Sequence, residues 1–97
     1  MAYKLYWSEE AVSNLEEILN YLNENWSARE AEIFKQNLGL QLDLIVNNPC
    51  MFPVSNFIPR LRKAVLSRKT TVFYEVKGKA VYLAYLHINR KDIKELK

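Results

Sequence analysis

The basic side chains in the second half of this sequence are the residues best suited to bind or cleave a negatively charged partner. Five of them fall within ten residues, and three further candidates follow the last apolar segment. They are Arg60, Arg62, Lys63, Arg68 and Lys69, and then His87, Arg90 and Lys91. Arginine and lysine neutralise anionic groups, and histidine can transfer a proton near neutral pH. This set predicts an anionic partner.

The formal net charge of +3 conceals a strong asymmetry along the chain. Residues 1–59 carry three cations and eight carboxylates, a net charge of −5, whereas residues 60–97 carry eleven cations and three carboxylates, a net charge of +8. Such asymmetry is typical of a protein with a negatively charged partner. A sheet edge that carries lysine to prevent aggregation explains the same count equally well. Charge alone therefore leaves both interpretations open.

Strand geometry decides whether these side chains act together. The start of one strand and the end of a later one can share an edge of an antiparallel meander, so Arg62 and Arg90 are expected to converge, with Tyr74 or Tyr85 nearby. That arrangement would combine phosphate neutralisation, stacking on a ring and proton transfer by His87. The structural alternatives are a histidine that merely ends an apolar strand and tyrosines that are half-buried in the sheet.

Composition excludes several classes of site. The single cysteine, Cys50, rules out an intramolecular disulfide, and with one histidine it excludes a multi-ligand Cys/His zinc site. No Gly-rich phosphate loop or hydrolase motif is present, so we expect neither a metal nor a cofactor. No secretory leader is recognisable, and no apolar run reaches about 18 residues. The simplest expectation is a single cytoplasmic domain over residues 1–97, without a membrane partner.

Apolar residues at steps of three and four predict two helices that pack as a hairpin. The first follows a short strand over residues 3–7 and begins after Ser8, an N-cap residue. The second begins with a capping box at Ser27 and ends before Pro49. Gly39, inside the second helix, is expected to allow close packing against the first helix.

A loop and three strands complete the predicted architecture. Residues 49–60 contain all three prolines and are expected to form an ordered loop, with Met51, Phe52 and Phe57 packed on the core. The strands that follow span residues 61–66, 70–76 and 80–88, with turns at Arg68-Lys69 and Lys77-Gly78. The order β-α-α-β-β-β predicts an α+β fold in which a helical hairpin packs on a small antiparallel sheet. The first strand must join this sheet internally or at its edge.

Six short motifs occur in a fixed order along nearly the full chain. They are Trp7-Ser8, Trp26-Ser27, Asn48-Pro49, Arg60-Leu61-Arg62-Lys63, Phe73-Tyr74-Glu75-Val76 and His87-Ile88-Asn89-Arg90-Lys91-Asp92. Together they resemble the RelE/ParE superfamily of bacterial toxins from type II toxin–antitoxin pairs. The resemblance is closer to the ParE-like branch, the plasmid-stabilisation proteins, than to RelE.

This resemblance implies a growth inhibitor that a cognate antitoxin holds inactive, as a possible homodimer or as a heterotetramer with the antitoxin. RelE-like members cut mRNA in the ribosome with basic residues, which here would be Arg62, His87 and Arg90. Thr71 stands where such members carry an arginine before the aromatic strand motif, and no tyrosine follows Arg90. Without a charge at Thr71, stabilisation of the cleaved phosphate would be weaker. ParE-like members instead poison DNA gyrase by binding and need no catalytic set.

We therefore expect a non-catalytic toxin that binds DNA gyrase. A ribosome-dependent mRNA endoribonuclease and a binding module that has lost its toxicity are the alternatives. In the first interpretation, basic residues and one tyrosine contact the target or the antitoxin. These are Arg60, Arg62, Lys63, Arg68, Lys69, Tyr74, Arg90 and Lys91.

Overall fold

A computed structural model of the chain describes residues 3–67 and 70–88. Its elements are β1 (Lys4–Trp7), α1 (Glu9–Asn25), α2 (Ala28–Asn47), β2 (Arg62–Ser67), β3 (Thr70–Lys77) and β4 (Ala80–Ile88). This order confirms the predicted β-α-α-β-β-β arrangement and the α+β fold. The predicted turn at Arg68-Lys69 and the charged segment from residue 89 onward lie outside the described residues.

Serine side chains begin both helices, as the sequence predicts. The Oγ atom of Ser8 accepts a hydrogen bond of 3.0 Å from the backbone N–H of Ala11, and Oγ of Ser27 accepts one of 3.1 Å from Glu30. Each bond satisfies an amide that has no partner within its own helix. The hydroxyl of Ser8 also donates to the carbonyl oxygen of Ala84 at 2.6 Å. The first cap therefore also fixes α1 to β4.

The four strands form one sheet in the order β1-β4-β3-β2. Strands β2, β3 and β4 are antiparallel, whereas β1 lies at the edge and runs parallel to β4. The sheet is therefore mixed, while the sequence suggested an antiparallel one. Tight turns set the direction of neighbouring strands, but no local turn joins β1 to β4, so nothing in either segment fixes their relative direction.

Gly78 makes the turn between β3 and β4. Lys77 pairs with Ala80, so the two turn residues are Gly78 and Lys79, one position later than predicted. Gly78 has a φ of 58°, a left-handed conformation that glycine adopts without steric cost. Further along this hairpin the register shifts once, and the extra residue of the resulting bulge is Ala84.

Alternate strand residues and one stripe from each helix enclose the core. Tyr74, Val72, Val81 and Leu83 from the sheet are fully buried, as is Ile45 from α2. Burial of each side chain of this size stabilises the fold by roughly 1.5–3 kcal/mol. The helices add further buried apolar residues to the same cluster, including Ala11, Ile18, Leu38 and Leu42.

Gly39 does not pack against α1, so that prediction is wrong. The residue faces solvent, and a Cβ atom added to it would meet no other atom within 4 Å. The glycine is simply tolerated at an exposed position of α2, at a cost of about 1 kcal/mol relative to alanine.

Of the three loop side chains expected on the core, Phe52 alone lies there. Its ring packs edge-on against Tyr74 with 6.3 Å between ring centroids. Met51 and Phe57 are 56% and 94% exposed, so the prediction is wrong for both. The buried side chain of Ser55 accepts a hydrogen bond from the backbone N–H of Phe57, and the side chain of Phe57 faces solvent at this tight turn.

Candidate protein-binding surface

Arg62 is tied to the loop that precedes β2. Its Nη1 atom donates to the carbonyl oxygen of Phe52 at 2.6 Å and approaches that of Cys50 at 3.4 Å. In the β2–β3 register Arg62 lies opposite Tyr74, on the sheet face that the helices cover. A charged donor makes a stronger hydrogen bond than a neutral one. The contact therefore stabilises the loop against the sheet.

Tyr74 is completely buried beneath the same loop. Its hydroxyl donates a hydrogen bond of 2.6 Å to the carbonyl oxygen of Pro49. Burial raises the pKa of this hydroxyl to about 12, and the positive charge of Arg62 opposes that effect. The prediction that Tyr74 contacts the target or the antitoxin is wrong, since none of its side chain reaches the surface.

Arg62 and His87 lie on opposite faces of the sheet and at different levels along it. Arg62 pairs with Tyr74 in the middle of β3, on the face that the helices cover, whereas His87 pairs with Thr71, near the start of that strand and on the opposite face. Both β2 and β4 run antiparallel to β3 and hence parallel to each other, so the start of β2 and the end of β4 cannot share an edge. The expected site in which His87 transfers a proton beside Arg62 is therefore not formed, while the expected convergence of Arg62 with Arg90 stays a prediction. Arg90 follows the far end of β4 and lies outside the described residues.

Two other predicted binding residues, Arg60 and Lys63, lie toward the surface. The Nε atom of Arg60 is 3.9 Å from a carboxylate oxygen of Glu75, and its side chain is 68% exposed. An exposed ion pair of this kind contributes little to stability, so the guanidinium can exchange Glu75 for a partner. Lys63 is half-buried and pairs with Phe73. The predicted contacts outside the described residues, which stay predictions, are Arg68, Lys69, Arg90 and Lys91.

The outer face, the sheet surface opposite the helices, carries two pairs of stacked aromatic rings. The ring centroids of Tyr6 and Tyr82 are 5.1 Å apart, and those of Phe73 and Tyr85 are 4.6 Å apart. Tyr6 and Tyr82 remain 46% and 42% exposed. The sequence did not predict this face, because its strand tyrosines were interpreted as half-buried in the sheet or as a stacking ring beside Arg62. The alternation of Tyr82 with its buried neighbours in β4 is the signal that would have placed it outward.

His87 is exposed on the outer face, in a row of three paired residues. Its pairing partner is Thr71, which in turn pairs with Val65 on β2. Neither side chain carries a charge that could stabilise a phosphate during cleavage. The row therefore suits contact with a partner better than acid–base chemistry.

The described residues hold no cluster that suggests a metal centre. Within residues 3–67 and 70–88, no three His, Cys, Asp or Glu side chains come together in a way that could hold an ion. Neither helix in this part of the chain is long and apolar enough to cross a membrane.

Solved structures of other toxins share this fold. A chain of the chromosomal ParDE toxin–antitoxin system from P. aeruginosa matches with a TM-score of 0.76 at 21% identity, over 90% of this chain and 96% of that one. A chain of the E. coli DinJ–YafQ toxin–antitoxin complex matches with a TM-score of 0.63 at 10% identity, over 94% of this chain and 97% of that one. A chain of the RelBE2 toxin–antitoxin complex from Mycobacterium tuberculosis matches with a TM-score of 0.61 at 9% identity, over 92% of this chain and all of that one. Identities this low establish the fold alone.

The family assignment comes from the sequence itself. Among curated proteins, no sequence matches the chain significantly. The family model described as the ParE toxin of the type II toxin–antitoxin system parDE, however, matches residues 5–93. That span contains all six motifs that suggested the resemblance. The chain therefore belongs to the ParE toxin family and is the toxin component of a type II toxin–antitoxin system.

Proposed function

We propose that this toxin stops growth by binding DNA gyrase and carries out no chemistry of its own. The separation of Arg62 from His87 carries this proposal, because a nuclease built on these residues needs both at one phosphate. Their pairing partners on β3, Tyr74 and Thr71, are three residues apart and face opposite sides of the sheet, and the guanidinium of Arg62 is held by the carbonyl oxygen of Phe52. Inhibition by binding requires a complementary surface and no catalytic set. Membership of the ParE family supports the same interpretation.

We also propose that a cognate antitoxin covers the basic half of the molecule, in the cytoplasm, within a heterotetramer or around a toxin homodimer. The similar toxins from P. aeruginosa, E. coli and M. tuberculosis belong to toxin–antitoxin systems or complexes. Exposed cations such as Arg60 would pair with antitoxin carboxylates. Because salt screens exposed charges, the antitoxin should bind more weakly as salt rises. Equal affinity at low and high salt would contradict this electrostatic contact.

Expression of the toxin without its antitoxin, in cells that carry a reporter plasmid, tests the target. We expect growth to stop, the plasmid to lose negative supercoiling and cellular mRNA to stay intact. Co-expression of the antitoxin is the matched control and should restore both growth and supercoiling. Cleaved mRNA with normal supercoiling would replace gyrase with the ribosome as the target. Normal growth would indicate a module that has lost its toxicity.

A ribosome-dependent ribonuclease is the second candidate, because Lys63 and His87 both belong to the outer face. Tyr85 lies in the row of Lys63 and Phe73, two residues from His87. In such an enzyme Lys63 would neutralise a phosphate, Tyr85 would stack on a base and His87 would transfer a proton. Loss of mRNA cleavage in both Lys63→Ala and His87→Ala would favour this candidate. Arrest without any mRNA cleavage would exclude it.

A further inference from the structure

Phe57 is the most exposed large apolar side chain in the described part of the protein. Its exposed fraction is 94%, compared with 65% for the next, Leu40 on α2. A single exposed apolar residue is ordinary. This one, however, belongs to a loop that also exposes Met51 and Val54. Several exposed apolar side chains in one short segment indicate a surface that meets a partner.

Hydrogen bonds hold the backbone around Phe57 in one conformation. The Oγ atom of buried Ser55 accepts the N–H groups of Phe57 and Ile58 at 3.2 and 3.3 Å. The N–H of Ser55 donates to the carbonyl oxygen of Leu61 at 2.8 Å, and that of Leu61 donates to Ile58 at 2.9 Å. A partner that binds Phe57 therefore has to restrict little more than one side chain. Such preorganisation strengthens binding because less conformational entropy is lost.

The charges around this loop indicate the chemistry of the partner. Residues 54–63 contain three cations and no carboxylate. Arg62 is held by loop carbonyls, but Arg60, three residues after Phe57, is exposed, and Lys63 follows on the edge strand β2. Protein interfaces place aromatic residues at the centre and charged ones at the rim. A surface complementary to this loop is thus an apolar pocket rimmed by carboxylates.

We infer that Phe57 is the anchor by which the toxin binds its folded target, its ring entering an apolar pocket bordered by acidic residues. The inference rests on the proposed function, in which that target is DNA gyrase. A protruding ring needs a concave receptor, which a folded protein provides. An extended antitoxin segment that wraps over the toxin fits grooves and strand edges instead. Binding of the antitoxin therefore does not depend on Phe57.

Phe57→Ala tests the inference, with Leu40→Ala as the matched control at another exposed apolar position. We expect Phe57→Ala to lose growth arrest and to bind purified DNA gyrase roughly thirtyfold more weakly, the usual size of a hot-spot effect. Leu40→Ala should match the unmodified toxin in both assays. Neither side chain is buried, so both variants should keep the thermal unfolding midpoint and the affinity for the antitoxin.

Two results would overturn the anchor. One is that Phe57→Ala arrests growth as strongly as the unmodified toxin. This result counts against the anchor even if the antitoxin neutralises the variant differently. The other is an equal loss of arrest in Phe57→Ala and Leu40→Ala. Growth arrest is measured without assuming which protein the toxin binds. The proposal that gyrase is the target and the proposal that Phe57 is the anchor can therefore fail separately. If the unmodified toxin leaves gyrase active while Phe57→Ala alone abolishes arrest, gyrase is the wrong target and the anchor stands.

Discussion

The guanidinium of Arg62 lies 2.6 Å from the carbonyl oxygen of Phe52, on the face of the sheet that the helices cover. A residue in the middle of a basic motif therefore stabilises a loop and does not reach toward an anion. The same loop places Phe52 against Tyr74 and Phe57 in solvent. In this toxin the basic motif thus has two roles, since Arg62 supports the loop while Arg60 is left exposed.

Removal of the Arg62 side chain should destabilise the protein. Arg62→Ala leaves the carbonyl of Phe52 without its charged donor, so the free energy of unfolding should fall by about 1.5–3 kcal/mol. Arg60→Ala is the matched control, because its long, exposed contact with Glu75 contributes less than about 1 kcal/mol. Urea denaturation of both variants measures the difference. Equal effects of the two substitutions would contradict the structural role of Arg62.

Tyr74 should make stability fall at high pH. Its folded-state pKa of about 12 lies above the ordinary value of 10.0, so the folded protein retains this proton at a pH where the unfolded chain has lost it. The resulting stabilisation is complete below pH 10 and is lost as the pH rises from 10 toward 12. A spectroscopic pH titration of the unmodified toxin, compared with the same titration of Tyr74→Phe, isolates the ionisation of the Tyr74 hydroxyl. Ionisation of Tyr74 at its ordinary pKa would contradict its burial.

The two glycines should respond in opposite directions to alanine. Gly39→Ala fills open space on an exposed helix surface and should stabilise the protein by about 1 kcal/mol. Gly78→Ala forces a Cβ atom onto a φ of 58° and should destabilise by about 1–2 kcal/mol. Thermal unfolding measures both. Stabilisation by Gly78→Ala, or destabilisation by Gly39→Ala, would contradict the geometry at that position.

The features that the sequence predicts correctly are local ones. Ser8 and Ser27 cap helices through amides three residues away, and β4 begins and ends where its apolar run does, at Ala80 and Ile88. These outcomes depend on short stretches of chain whose preferences are expressed in the residues themselves. The element order and the family resemblance follow from such local patterns.

The features that the sequence does not predict depend on pairing between distant segments. The parallel contact of β1 with β4 joins residues more than seventy positions apart, as does the bond from Ser8 to Ala84. The register of three strands then decides that Arg62 and His87 lie on opposite faces of the sheet and at different levels along it. The exposure of Phe57 depends in turn on the buried turn at Ser55, which no periodicity reveals.

His87 should be dispensable for toxicity. It is exposed beside the uncharged Thr71, with no cation in its row to complete a phosphate-cleaving site. His87→Ala should therefore arrest growth as strongly as the unmodified toxin, measured as colony formation after induction without antitoxin. Restored growth in this variant, at equal protein levels and equal thermal stability, would contradict a purely binding mechanism.

The supercoiling activity of purified DNA gyrase, titrated with purified toxin, shows whether gyrase is the target. We expect inhibition at micromolar toxin or below, relief when the cognate antitoxin is added in equal amount, and the same inhibition by His87→Ala. Full supercoiling activity at micromolar concentrations of folded toxin would contradict this expectation.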